Sequence, residues 1–331
     1  MKKIFFSLIA LCCAIAAQSQ NDQLTAILQH GDEVSVFTGA DALASAMEAA
    51  VDNDIITLSA GTFKAAAITK SVSIFGAGFE YDAEAGTDVT CIYGKTNIGV
   101  SGETVNDINI EGVYFDGDYI NLGPETNDGP IVGLRFTKVK FNRDIRVYSD
   151  VSNANFDQCL FMNITQRGYP DANQIVADNW LYNNCYIGGN MSYFRNGSIK
   201  IDHCIVNGSP YTFSSTTVPV LCTNSIFTNN VGLPAGSIPQ YCSFTSGYST
   251  GVNCYSINAS AIFSDANNAD YTINRTFELK EPDTYVGNDG TPIGIIGGNG
   301  WSKVPSTPVV KGLKLSVSGK TLNVEYEAKT R

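Results

Sequence analysis

Histidine is nearly missing from this sequence: there are two in 331 residues, His30 and His203. No CxxC pair and no His-rich cluster occurs, which removes the usual ligand spacings of a zinc site. Basic residues are few, 21 against 32 acidic, for a net charge of −11. Such a balance argues against nucleic acid and anionic membrane surfaces as partners. No apolar run is long enough to span a bilayer. A leucine ladder is lacking too, which excludes leucine-rich repeats despite a similar period. There is no Gly-His-Gly and no Asp-Asp pair.

The opening "MKKIFFSLIALCCAIAAQSQ" carries Lys2 and Lys3, then an apolar stretch from Ile4 to Ile15, then small residues at Ala14, Ala16 and Ala17. This predicts a signal peptide over residues 1–20 and export: secreted, periplasmic or on the outer cell surface. A lipidated Cys12 is the alternative, but Leu11 stands where a small residue is needed. Cleavage removes two of the 21 basic residues and no acid, leaving 19 and a net charge of −13. It also leaves seven of the nine cysteines. An odd count in an exported chain is not a complete disulfide framework.

What is present is a repeat. "NFDQCLFMNI", "LYNNCYIGGN", "IKIDHCIVNG" and "IPQYCSFTSG" align on a cysteine. The column reads Cys91, Val113, Val139, Cys159, Cys185, Cys204, Ser225, Cys242. Two positions later stand Tyr93, Phe115, Phe141, Phe161, Ile187, Val206, Phe227 and Phe244. Three positions earlier stand Ile110, Phe136, Phe156, Tyr182, Ile201 and Cys222. Alternation marks short strands, and return every ~22 residues marks a solenoid. Asn and Gly after the strands suit corners with left-handed backbone. The spacers show no helical pattern, so the fold class is all-β: a right-handed parallel β-helix of about ten coils at this period. A sandwich of short strands is the rival. Stacked inward cysteines on consecutive coils are expected to be free thiols acting as small hydrophobes.

"ADALASAMEAAV" predicts an amphipathic helix that caps the solenoid, with Asp41 or Thr38 as its N-cap. "LKLSVSGKTLNVEYEA" predicts a C-terminal hairpin turning at Ser318-Gly319. The domains are then residues 1–20, signal peptide; 21–305, β-helix with its cap; and 306–331, linker and hairpin.

"ADALASAMEAAVDNDIITLSAGTFKAAAITKSVSIFGAG" resembles the opening of pectin-lyase-like right-handed β-helix proteins, and "DGTPIGIIGG" resembles the close of secreted members. The resemblance implies the fold. It is weak for activity, because that superfamily mixes lyases, hydrolases and adhesins. The missing motifs argue against its polygalacturonase-like hydrolases. A polysaccharide lyase would need a base and a cation, often Ca²⁺ held by Asp oxygens.

One stretch, "RFTKVKFNRDIRVYSD", is strongly basic. Arg135, Lys138, Lys140, Arg143 and Arg146 lie within twelve positions. Lys140, Arg143 and Arg146 are the candidate ligands for an acidic glycan. Asp116, Asp118 and Asp144 are candidates for Ca²⁺, with Asp118 and Asp144 expected to stack on adjacent coils. An ordinary charged face is the bland alternative. The outward column Tyr114, Lys140, Leu160, Tyr186, Ile205, Ile226 is unusually apolar. Tyr114 and Tyr186 are candidate sugar-stacking platforms on it, unless a loop or the C-terminal hairpin covers them. The expected function is binding, rather than cleavage, of an extracellular polysaccharide. The alternative is an adhesion or structural surface module with a protein partner.

Overall fold

The computed structural model describes residues 24–83, 86–126, 128–167, 175–245 and 251–306, and the backbone of 309–318 and 321–329. The expected signal peptide lies outside the described residues. The chain is all-β, 4% helical, and winds into a parallel β-solenoid of about six turns rather than ten. The repeats counted in the sequence are there, but only the middle coils form strands on all four faces. Arg135–Thr137, Lys140–Phe141, Ile145–Val147 and Val151–Ser152 make one such coil. Towards the ends, coils close through irregular backbone.

Inward rows run along the axis. On the first face Ile110, Phe136, Phe156, Tyr182, Ile201 and Cys222 lie in register. On the second, Phe115, Phe141, Phe161, Ile187, Val206, Phe227 and Phe244 do. All are buried. Phe115 and Phe141 stack at 5.5 Å, Phe227 and Phe244 at 4.8 Å, close to the strand spacing. The expected register fails at one coil. Cys91 pairs with Tyr114, and Ile92 with Phe115. Cys91 therefore belongs to the outward column, and Tyr93 is exposed.

Each bend from the first face to the second turns on one left-handed residue. Gly112, Lys138, Gln158, Asn184, His203, Asn224, Tyr241 and Asn253 have φ of 46–67°. The next residue is the cysteine column, whose N–H groups face the interior. Cys159 N donates to Cys185 Sγ at 3.4 Å, Cys185 N to Cys204 Sγ at 3.3 Å, and Cys204 N to Ser225 Oγ at 3.0 Å. Each thiol also donates onward, as Cys185 does to Phe156 O at 3.2 Å. The recurring cysteine is thus a small inward residue that accepts the corner N–H. All seven described cysteines are free.

The helix Ala42–Ala49 buries Ala42, Leu43, Ala46 and Met47 against Thr25–His30, Glu33–Thr38 and Gly61–Lys64. Asp41 makes no side-chain cap; it pairs with Lys64 instead. Lys70 closes the other end, donating to the carbonyls of Met47, Glu48 and Ala50.

The apolar outward column is covered by the chain that follows the coils. Leu160, Tyr186, Ile205 and Ile226 share a second core with Ile262, Phe263, Phe277, Leu279, Ile293 and Ile295. The chain then runs back along the solenoid as a strap, and successive corners pin it. Asn224 bonds Asn288, His203 bonds Thr291, and Asn184 donates to Ile295 O and Gly297 O at 2.8 and 2.7 Å. Gln158 accepts from Ser302 N, Lys138 donates to Val304 O, and Glu111 accepts from Ser306. Gly112 is required where the strap ends, since a Cβ there would meet Pro305 at 2.7 Å. The hairpin Val309–Ser318 and Thr321–Lys329 forms a two-stranded sheet of its own.

Candidate functional site

The predicted site residues divide between two faces. Tyr114 and Lys140 sit side by side on the second face. The Lys140 ammonium lies 5.2 Å from the Tyr114 ring and 5.8 Å from that of Tyr271, and bonds Glu80 at 2.9 Å. Glu80 is buried and also binds Lys303 at 3.2 Å and the Tyr271 hydroxyl at 2.7 Å. Burial pushes the Glu80 carboxyl up, but the bonds from Lys140 and Tyr271 and both ammonium charges outweigh it and hold it low. Burial and the neighbouring Asp116 push Tyr114 up to about 12, so its hydroxyl keeps its proton. A cleft of about 420 Å³ opens beside these groups, walled by Tyr81, Tyr114, Tyr271 and Ile273. Two lysines share one carboxylate here, and each is already partnered.

Tyr186 is not an outward platform. It lies buried under Tyr271 and Phe277, with ring centroids 5.5 and 5.7 Å away, and its hydroxyl accepts from Asn207 and Tyr271 N.

The three aspartates do not converge. Asp116 accepts from Asn142, Asp118 from Tyr119 N, and Asp144 from Asn163. Phe115 pairs with Phe141, but Ile120 pairs with Ile145. One residue drops out of register between these pairs, so Asp144 no longer faces Asp118. Among the described residues no group of three or more His, Cys, Asp or Glu side chains is placed to hold a metal.

Arg143 is exposed at the corner, and Arg146 lies around it on the third face. That face is built from the ends of Thr90–Ile98 and Tyr114–Leu122, then Ile145–Val147, Ile164–Gln166 and Met191–Ser192. Its outward column includes Asn121, Arg146, Thr165 and Ser192. A groove of about 630 Å³ runs along it, lined by Glu125, Thr126, Tyr148, Thr165, Gln166, Arg167 and Tyr193. It crosses three coil spacings, ~14 Å. Tyr193 is 46% exposed and holds φ at 67°, a costly conformation for a bulky side chain. Arg146 borders the groove and stacks on Tyr119, its Cζ 3.4 Å from the ring centroid.

Tyr119, Tyr148, Arg167 and Tyr193 were not found from the sequence. The third face has no cysteine to mark it, and the strands that lie wholly on it are two or three residues long. The available signal was the Gly94–Gly117 pair, both at positive φ, where the long strands bend between faces.

No family model matches this chain, and neither a curated protein nor a solved structure does. None of its described helices is long and apolar enough to cross a membrane.

Proposed function

We propose that this chain is an exported β-helix protein of the pectin-lyase-like kind, and that its third-face groove binds an extracellular polysaccharide. The observation that supports this most is the groove's lining: the rings of Tyr148 and Tyr193 beside the exposed Arg167, in a chain of net charge −11. Rings stack on sugar faces, while Glu125 and Thr126, both exposed in the lining, offer partners to sugar hydroxyls. Among the described residues no pair of carboxylates converges there, and the reading is of binding rather than cleavage. The helix Ala42–Ala49 serves as the N-terminal cap, since it covers a solenoid end that would otherwise expose strand edges.

Calorimetry against a panel of neutral and acidic polysaccharides tests the reading. Tyr148→Ala and Tyr193→Ala should each weaken binding by roughly 0.5–1.5 kcal/mol, up to about tenfold, with folding unchanged. Absence of binding to every polysaccharide would sink it. A second reading, a surface module with a protein partner, is favoured by one observation. Glu33–Thr38 is an edge strand, exposed along most of its length and paired on one side only.

A further inference from the structure

A half-buried arginine in so acidic a chain ordinarily finds a carboxylate. Arg146 has none: among the described residues no ion pair involves it. Its Nε is buried without a hydrogen-bond partner. On one side in the ladder is Asn121, whose Oδ1 is likewise buried and unpartnered; on the other is Thr165, in the groove lining. What holds Arg146 is the Tyr119 ring, 3.4 Å from Cζ. Lys95 approaches the same ring at 5.3 Å and is itself committed to Glu125 at 3.1 Å. Stacking occupies a flat face of the guanidinium and consumes none of its donors, which lie in its plane. A carboxylate partner would have used them.

We propose that Arg146 reads an anionic substituent, carboxylate or sulfate, on a saccharide in the groove, and that Tyr119 is a positioning residue that keeps the guanidinium flat and uncommitted. This rests on the reading of the groove as a polysaccharide site. A planar fork held in place matches two oxygens of one oxyanion, whereas a flexible ammonium supplies only a point charge. The groove therefore selects acidic over neutral sugars through geometry as well as charge. Arg167, exposed in the lining one coil further on, is a second cation for the next unit.

The test titrates alginate oligomers, dextran sulfate oligomers and neutral dextran oligomers of matched length into the wild type, Arg146→Lys, Tyr119→Phe and Tyr119→Leu. An acidic oligomer should bind at least about tenfold more tightly than dextran; which one does so identifies the oxyanion. Arg146→Lys should lose about tenfold of that affinity and leave any dextran binding alone. Tyr119→Phe keeps the ring and should behave as wild type, while Tyr119→Leu should behave as Arg146→Lys. If the ring were only structural, Tyr119→Leu would lower the melting temperature and weaken acidic and neutral binding alike. Equal affinity for acidic and neutral oligomers, or full acidic affinity in Arg146→Lys, would overturn the clamp and leave the polysaccharide reading standing. If none of the oligomers binds, both fail.

Discussion

At the residue scale, the thiol of Cys185 takes the N–H of Cys159 and gives its own hydrogen to Phe156 O. Replacing Cys185 by Ala leaves a buried donor without an acceptor and should cost about 1–3 kcal/mol in denaturant unfolding. Cys185→Ser should cost less, because Ser225 already fills the same role for Cys204. Equal losses would show that volume alone matters. Burial pushes the Cys185, Cys222 and Cys242 thiols well above the usual range. A thiolate-specific reagent should therefore modify half-buried Cys254 first and the deep column only on unfolding. Cys159, Cys185, Cys204 and Cys242 were legible in the sequence as an inward column because their spacing repeats. Their role at the corner was not, since it depends on the left-handed residue before each of them.

Among elements, the corners do double duty. Asn184 adopts φ of 46° and also donates to two strap carbonyls. Asn184→Gly removes the bonds but suits the backbone, whereas Asn184→Ala loses both and should unfold about 1–2 kcal/mol more easily. If the two variants melt together, the corner is not strained. Strand alternation and period were readable because each depends on residues one or two positions apart. Gln158, Lys138 and His203 gave no turn signal. Their partners lie far along the chain, in Ser302, Val304 and Thr291, and no local pattern shows such a contact. The basic patch was readable as a density of charge. Its division between two faces was not, because the corner between Phe141 and Ile145, which puts Lys140 and Arg146 on different surfaces, has no left-handed turn residue of its own.

For the whole molecule, Glu80 ties the first coils to the C-terminal cover through Tyr271 and Lys303. Its carboxyl is held below its ordinary value. Its contribution is therefore full above the usual carboxylate range and is lost as pH falls through its own lowered value. Asp202 behaves alike: burial pushes it up, and bonds from His203, Thr223 and Lys200 more than reverse this. Stability should fall at strongly acid pH. Glu80→Gln leaves two half-buried ammonium groups without their carboxylate and should lose about 1–3 kcal/mol at neutral pH, with a flatter acid limb. Unfolding by urea at several pH values measures both. Unchanged neutral stability would mean the cover does not depend on this latch.

The strap also fixes how the molecule bears load. It runs opposite to the winding of the coils and is fastened at Asn224, His203, Asn184, Gln158, Lys138 and Glu111 in turn. Tension applied through the C-terminal hairpin reaches Glu111 first and Asn224 last. The fastenings then peel one after another instead of shearing together. The force needed is that of one attachment at a time, and the strap lifts away stepwise while the coils beneath stay wound.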